Sequence, residues 1–131
     1  MRLLKEINMA EFLEVCGQDY EFVHSIRYWT GSYKIGFGDN IYLIHFKDGK
    51  IDGFEENVPE DVPATCWTIG PVETWEEMLK PVPAPGYNAF RPAMFYHGMK
   101  LSQSDAVIQF PMENRFLVLL RKFYNEVTNN G

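Results

Sequence analysis

The residues able to do chemistry are few and scattered. His24, His45 and His97 are the candidate bases and metal ligands, yet no Cys or carboxylate stands at ligand spacing around any of them, and a structural zinc takes four such ligands. His45 alternates with Leu43 and Ile41, the pattern of a hydrogen-bonded core or edge histidine. His97, between Tyr96 and Gly98, is the better placed for proton transfer. Cys66 lies between Thr65 and Trp67 with no neighbouring histidine to generate a thiolate, so it reads as core. Glu73, Glu76 and Glu77 fall in the first turns of a predicted helix, where carboxylates suit the helix dipole. The chain carries no P-loop, paired CxxC, HExxH or GxSxG motif. These residue types therefore predict no catalytic group, no metal and no cofactor.

The sharper signal is apolar. Aromatic residues make up 15% of the chain, as ten Phe, seven Tyr and three Trp. Trp75, Met78, Tyr87, Phe90, Met94, Phe95 and Tyr96 gather around a proline-rich spacer, and Leu79 shares the helix face of Trp75 and Met78. Burial of one helix face accounts for Trp75 and Phe90. So many large, adaptable side chains also suit a deformable apolar pocket, and both readings stand at this point.

The elements that must position these residues are set by periodicity. Asn8 with Glu11 three residues on has capping-box spacing. Met9, Phe12, Leu13, Cys16, Tyr20 and Val23 then make an amphipathic stripe, predicting one helix from 9 to 26 with Gly17 as its weak point. Residues 32–37 alternate as a half-buried strand, and 40–47 are apolar on both faces, as in a central strand. Asp48-Gly49 supplies hairpin chemistry, returning 50–55 antiparallel. After an acidic, proline-flanked connection, 64–69 resume strand composition, and Gly70-Pro71 marks a junction into the helix bearing Trp75.

Residues 80–86 carry three prolines at alternate positions, a stiff spacer between helices. Pro92 suits the opening turn of a helix within 87–97. A short strand is expected in 99–103, with Ser104-Asp105 as a cap for the next element and Pro111 blocking an unbroken helix. Phe116, Leu119, Leu120, Phe123 and Val127 form the stripe of a closing helix over 113–127, about 22 Å long.

A length of 131 residues suits one domain over 1–131. The net charge of −6, with no basic run longer than Arg121-Lys122, argues against nucleic acid and anionic membranes as partners. No apolar run approaches the roughly 20 residues that span a bilayer, so a soluble protein without stable membrane insertion is expected. The start Met1-Arg2-Leu3-Leu4-Lys5-Glu6 places charges where a secretory signal needs an apolar run. A reduced, cytoplasmic setting is therefore expected, with Cys16 and Cys66 as small core residues.

The chain resembles the sterol carrier protein family. The residues that carry the resemblance are the hairpin Ile41-Tyr42-Leu43-Ile44-His45-Phe46-Lys47-Asp48-Gly49-Lys50-Ile51, the strand 64–69, the helix with Trp75-Glu76-Glu77-Met78-Leu79, the pair Ala89-Phe90, and Gly98-Met99-Lys100-Leu101 leading to Asp105. The resemblance implies an α+β fold: an antiparallel sheet of about five strands covered by helices, with N-terminal and C-terminal amphipathic helices. It also implies non-covalent binding of an apolar ligand, a sterol, fatty acyl chain or acyl-CoA, between sheet and helices. Trp75, Met78, Leu79, Tyr87, Phe90, Met94 and Phe95 are then the expected ligand contacts, joined by Phe116 and Leu120 from a terminal helix acting as a lid. Two other readings are a small cone-shaped α+β barrel enzyme using general acid/base chemistry on a hydrophobic substrate, and an accessory module docking on a larger enzyme. Expected partners are thus an apolar small molecule or lipid, with a partner enzyme or a second copy of the chain.

Overall fold

The computed structural model describes residues 8–102 and 106–130. Ser104 and Asp105, expected as a cap, lie outside the described residues. Asn8 caps α1 (Met9–Gln18) as its spacing predicts, accepting the Glu11 amide at 3.1 Å. The helix does not continue to Ile26. It breaks at Asp19, whose extended backbone ends α1 and whose carboxylate caps α2 (Tyr20–Ser25) through the Phe22 amide at 2.9 Å. Arg115 holds that carboxylate with two bonds of 2.8 Å. The break rotates the buried stripe, so Phe22 and Ile26 enter the core while Tyr20 and Val23 are exposed.

The strands β1 (Gly31–Phe37), β2 (Asn40–Lys47), β3 (Lys50–Glu56), β4 (Cys66–Gly70) and β5 (Lys100–Leu101) form one open sheet in the order β3-β2-β1-β4-β5. The β2–β3 hairpin turns at Asp48 and Gly49, both at positive φ (51° and 78°), the geometry that an Asp-Gly pair supplies at least cost. Three of the four pairings are antiparallel and β1 pairs with β4 in parallel, so the sheet is mixed. The parallel pair arises because residues 57–65 cross the sheet and deliver β4 to the far side of β1.

That crossing also changes the burial of β1. Tyr33, Ile35 and Phe37 face the helices, as alternation requires, but Lys34 on the other face is buried as well. Its ammonium donates to the carbonyls of Glu60 at 2.6 Å and Val62 at 2.8 Å, fastening the connection over the sheet. A strand expected to be half-buried is therefore covered on both sides. On β2, both faces are buried as its composition indicates.

After β4 come α3 (Val72–Met78), α4 (Phe90–Tyr96) and α5 (Ala106–Asn130). The Trp75 indole N–H donates to the Gly36 carbonyl at 2.8 Å, seating α3 on β1. Pro92 lies in the first turn of α4, where its missing N–H costs little. Pro111, expected to stop a helix, lies inside α5. It forfeits one i→i−4 bond and keeps its ring outward, while the buried Gln109, Met112 and Glu113 on either side hold the helix to the sheet. Phe12 of α1 and Phe116 of α5 meet edge to face at 5.1 Å, and Phe116 meets Tyr33 of β1 at 5.5 Å. Among the described residues no helix is long and apolar enough to cross a membrane.

Candidate functional site

Most of the residues expected to touch a ligand are inside the core. Trp75, Met78, Leu79, Phe90, Phe116 and Leu120 are all buried in one cluster, with the Trp75 ring 4.6 Å from Phe37 and 5.5 Å from Phe90. Tyr87 and Met94 pack against the margin of that cluster, and Phe95 stands on the surface at 70% exposure. From α5, Arg121 donates to the Met78 carbonyl at 2.7 Å and Asn125 to the Leu79 carbonyl at 2.8 Å, so polar side chains clamp the end of α3 over these apolar ones. The Tyr87 and His97 rings stack at 3.7 Å, and the backbone carbonyl of His97 accepts the Thr74 hydroxyl at 2.6 Å.

An apolar groove of about 590 Å³ opens elsewhere, between α1 with α2 on one side and β3 on the other. Its floor is made by Leu13, Ile26, Ile51 and Phe54, with Val23 at one flank and Glu14, Lys50 and Asp52 at the rim. Leu13 and Ile26 are themselves buried members of the core. The floor of the groove is therefore the outer surface of the core packed between helices and sheet.

Two local features create it. Gly17, on the groove wall, has open space where a side chain would start. On β3 the pairing shifts by one residue: Gly53 pairs with His45 while Ile51 pairs with Phe46, leaving Asp52 as the extra residue of a β-bulge. In a regular strand Ile51 and Phe54 would point to opposite faces. The bulge brings both onto the helix side, against Phe46 and Ile44. Gly53, at φ 149°, supplies a backbone conformation that other residues rarely adopt. None of these groove residues was expected from the sequence to touch a ligand, although an Ile-x-Gly-Phe spacing inside a predicted strand is the signal of a bulge.

The groups capable of nucleophilic or acid/base work do not converge on this groove. Burial raises the Cys16 thiol far above its ordinary range, with Asp19 adding to the effect, so no thiolate is available. Cys66 is buried, its Sγ 3.7 Å from the Ser32 carbonyl. His45 pairs with Glu55 at 2.7 Å on the outer face of the sheet. The groove can hold an apolar body and offer charge only at its rim.

No protein-family model and no curated protein matches the sequence. The fold does have solved counterparts. Sterol carrier protein 2 aligns with a TM-score of 0.64 at 13% identity, over 86% of this chain and 92% of that one. A conserved hypothetical protein of Thermus thermophilus, for which sterol carrier protein is the suggested identity, gives 0.54 at 13% identity over 86% of this chain and 85% of that one. An SCP2-containing UbiJ protein, described as a ubiquinone synthesis protein, gives 0.53 at 10% identity over 94% and 95%. The chain thus has an SCP2-like α+β fold, as the hairpin and helix residues that resemble the family imply.

Proposed function

We propose that this protein binds and carries a long apolar molecule, a fatty acyl, sterol or prenyl chain, without changing it covalently. The observation that carries this reading is the groove between α1 and β3, whose floor is the core's own Leu13 and Ile26. Its volume lies within the range of small-molecule sites. A tail of ten methylenes removed from water would contribute on the order of 8 kcal/mol before the cost of immobilising it. Structural relatives named for sterol carriage and for ubiquinone synthesis support the same broad ligand class, since both names concern long apolar molecules. The Trp75, Met78, Leu79 and Phe90 cluster would form the far wall of the interior, with Tyr87, Met94 and Phe95 at its outer margin and Phe116 and Leu120 above the sheet.

Titration of purified, delipidated protein with fluorescent acyl, sterol and prenyl probes tests the reading, with Gly17→Phe as the companion variant. A Cβ at Gly17 meets nothing within 4 Å and the position lines the groove, so folding should persist while the ring occupies the groove. Wild type should bind at least one probe saturably at micromolar concentration or tighter, and Gly17→Phe should weaken it at least tenfold. Absence of saturable binding refutes carriage. Equal binding by both proteins moves the ligand to the Trp75 cluster.

A further inference from the structure

Segments distant in sequence meet at one buried carboxyl group. Glu113 of α5 is 1% exposed. The Tyr33 hydroxyl of β1 donates to Thr68 Oγ1 of β4 at 2.6 Å, and the Thr68 hydroxyl points on to Glu113 Oε2 at 3.5 Å. On the other side the Gln109 amide donates to the same oxygen at 3.0 Å. Gln109 Oε1 accepts from the Ser102 hydroxyl at 2.8 Å, and Ser102 Oγ accepts the Trp67 N–H at 2.9 Å. Both branches run from donor to acceptor and end on Glu113.

Two influences oppose each other there. Converging donors favour the carboxylate, and burial favours the neutral acid. Burial prevails, raising the group from 4.5 to about 7, while Gln109, Thr68 and the positive charge of Arg91 on α4 pull it back. Tyr33 remains a neutral donor, because burial and the charges of Glu113 and Cys66 push its phenol well up. Among the described residues, the Thr68 and Gln109 donors are both neutral and meet the same carboxyl oxygen, so they offset only part of the cost of burying a charge there. Pro111 meanwhile removes one helical bond beside this site, which lets the first turns of α5 tilt without unwinding the rest.

We propose that Glu113 is a proton-operated latch that seats the first half of α5 on the β4 side of the sheet. Neutral, it lets the helix lie against Thr68 and Ser102. Ionised, it gains solvation when the helix lifts, so the seat loosens as pH rises through neutrality. The latch does not depend on a ligand in the α1–β3 groove.

Carbon-13 NMR titration of the glutamate side-chain carboxyls in the wild-type protein, assigned through the backbone, gives the first readout. The Glu113 midpoint should lie near neutrality, and a midpoint near 4.5 overturns the latch. Hydrogen exchange at pH 5.5 and pH 8, corrected for intrinsic rates, gives the second. Amides of 108–117 in wild type should open more often at the higher pH by roughly tenfold or more, because closed and open forms differ by more than one pKa unit. Glu113→Gln should abolish that pH dependence, and an equal rise in this variant refutes the proposal. Tyr33→Phe keeps the ring against Phe116 but removes the outer donor of one branch, leaving Thr68 to face Glu113 without the polarising phenol behind it. It should move the Glu113 midpoint upward, and an unmoved midpoint also counts against the latch.

Discussion

Ile51 and Phe54 are three residues apart on β3, yet both face the helices, because Asp52 is an unpaired bulge residue between them. This departure from strand alternation gives the groove its β3 wall. Gly53 holds the bulge at φ 149°, a conformation in which any Cβ is strained even though open space surrounds it. Gly53→Val should therefore lower stability by about 1–3 kcal/mol in urea unfolding. A cost below about 0.5 kcal/mol would show that the backbone there relaxes freely and that the bulge is not pinned by glycine.

Asp19 does two jobs at the corner between α1 and α2, capping the Phe22 amide and receiving Arg115 from α5. Asp19→Ala should cost about 1–2 kcal/mol, mainly through the lost cap. The Arg115 hydrogen bond, followed by the Phe22 amide and the nearby positive charges, holds the Asp19 carboxyl below its ordinary value of 3.8. Its contribution is thus present above that value and is lost as pH falls through the lower folded-state pKa. Acid unfolding monitored by circular dichroism should begin at higher pH in the variant, and coincident acid limbs would contradict this.

Local chemistry made much of this architecture readable in the sequence. Asn8 as a cap, Asp48-Gly49 as a hairpin, the two-faced apolar run 40–47 and Pro92 in an opening turn are each decided within a few residues, and each is present in the fold. What escaped depends on partners far along the chain. The break at Asp19 is secured by Arg115, 96 positions away, and the burial of Lys34 depends on carbonyls at 60 and 62. Pro111 stays in a helix because a sheet lies beneath it. The groove escaped for the same reason: Leu13, Ile26, Ile51 and Phe54 look like ordinary core positions until tertiary packing leaves a gap above them.

Truncation of Phe116 distinguishes a lid from a core. A lid over a ligand cavity should lose only about 1 kcal/mol on truncation in the unliganded protein, with affinity for lipid falling several-fold. Phe116 instead contacts Phe12 and Tyr33 edge to face and is 1% exposed. Phe116→Ala should cost about 3–5 kcal/mol in urea unfolding of delipidated protein, through lost burial and the void left behind. Probe affinity per folded molecule should stay within a few-fold of wild type. A small stability loss paired with a large affinity loss would return Phe116 to the ligand site.

Glu113 should also leave a signature on global stability, opposite in sign to that of Asp19. Its folded-state pKa, about 7, lies above the reference value of 4.5. Below 4.5 both folded and unfolded forms hold the proton, and the group has no effect on the pH dependence. Between 4.5 and 7 the unfolded chain releases the proton while the folded protein keeps it, so stability falls as pH rises; above 7 the difference is constant. The full span corresponds to about 3 kcal/mol, because each pKa unit is worth about 1.4 kcal/mol. Glu113→Gln replaces the carboxyl group by an amide of similar shape that cannot ionise. Because other carboxylates titrate over the same range, the decisive quantity is the stability gap between wild type and Glu113→Gln, measured in urea at pH 4 and pH 8. That gap should move by about 3 kcal/mol in favour of the variant at the higher pH, whatever the fixed cost of the substitution. A gap that does not change with pH would mean that Glu113 titrates alike in folded and unfolded chains, and that burial in the Tyr33, Thr68 and Gln109 network does not raise its pKa.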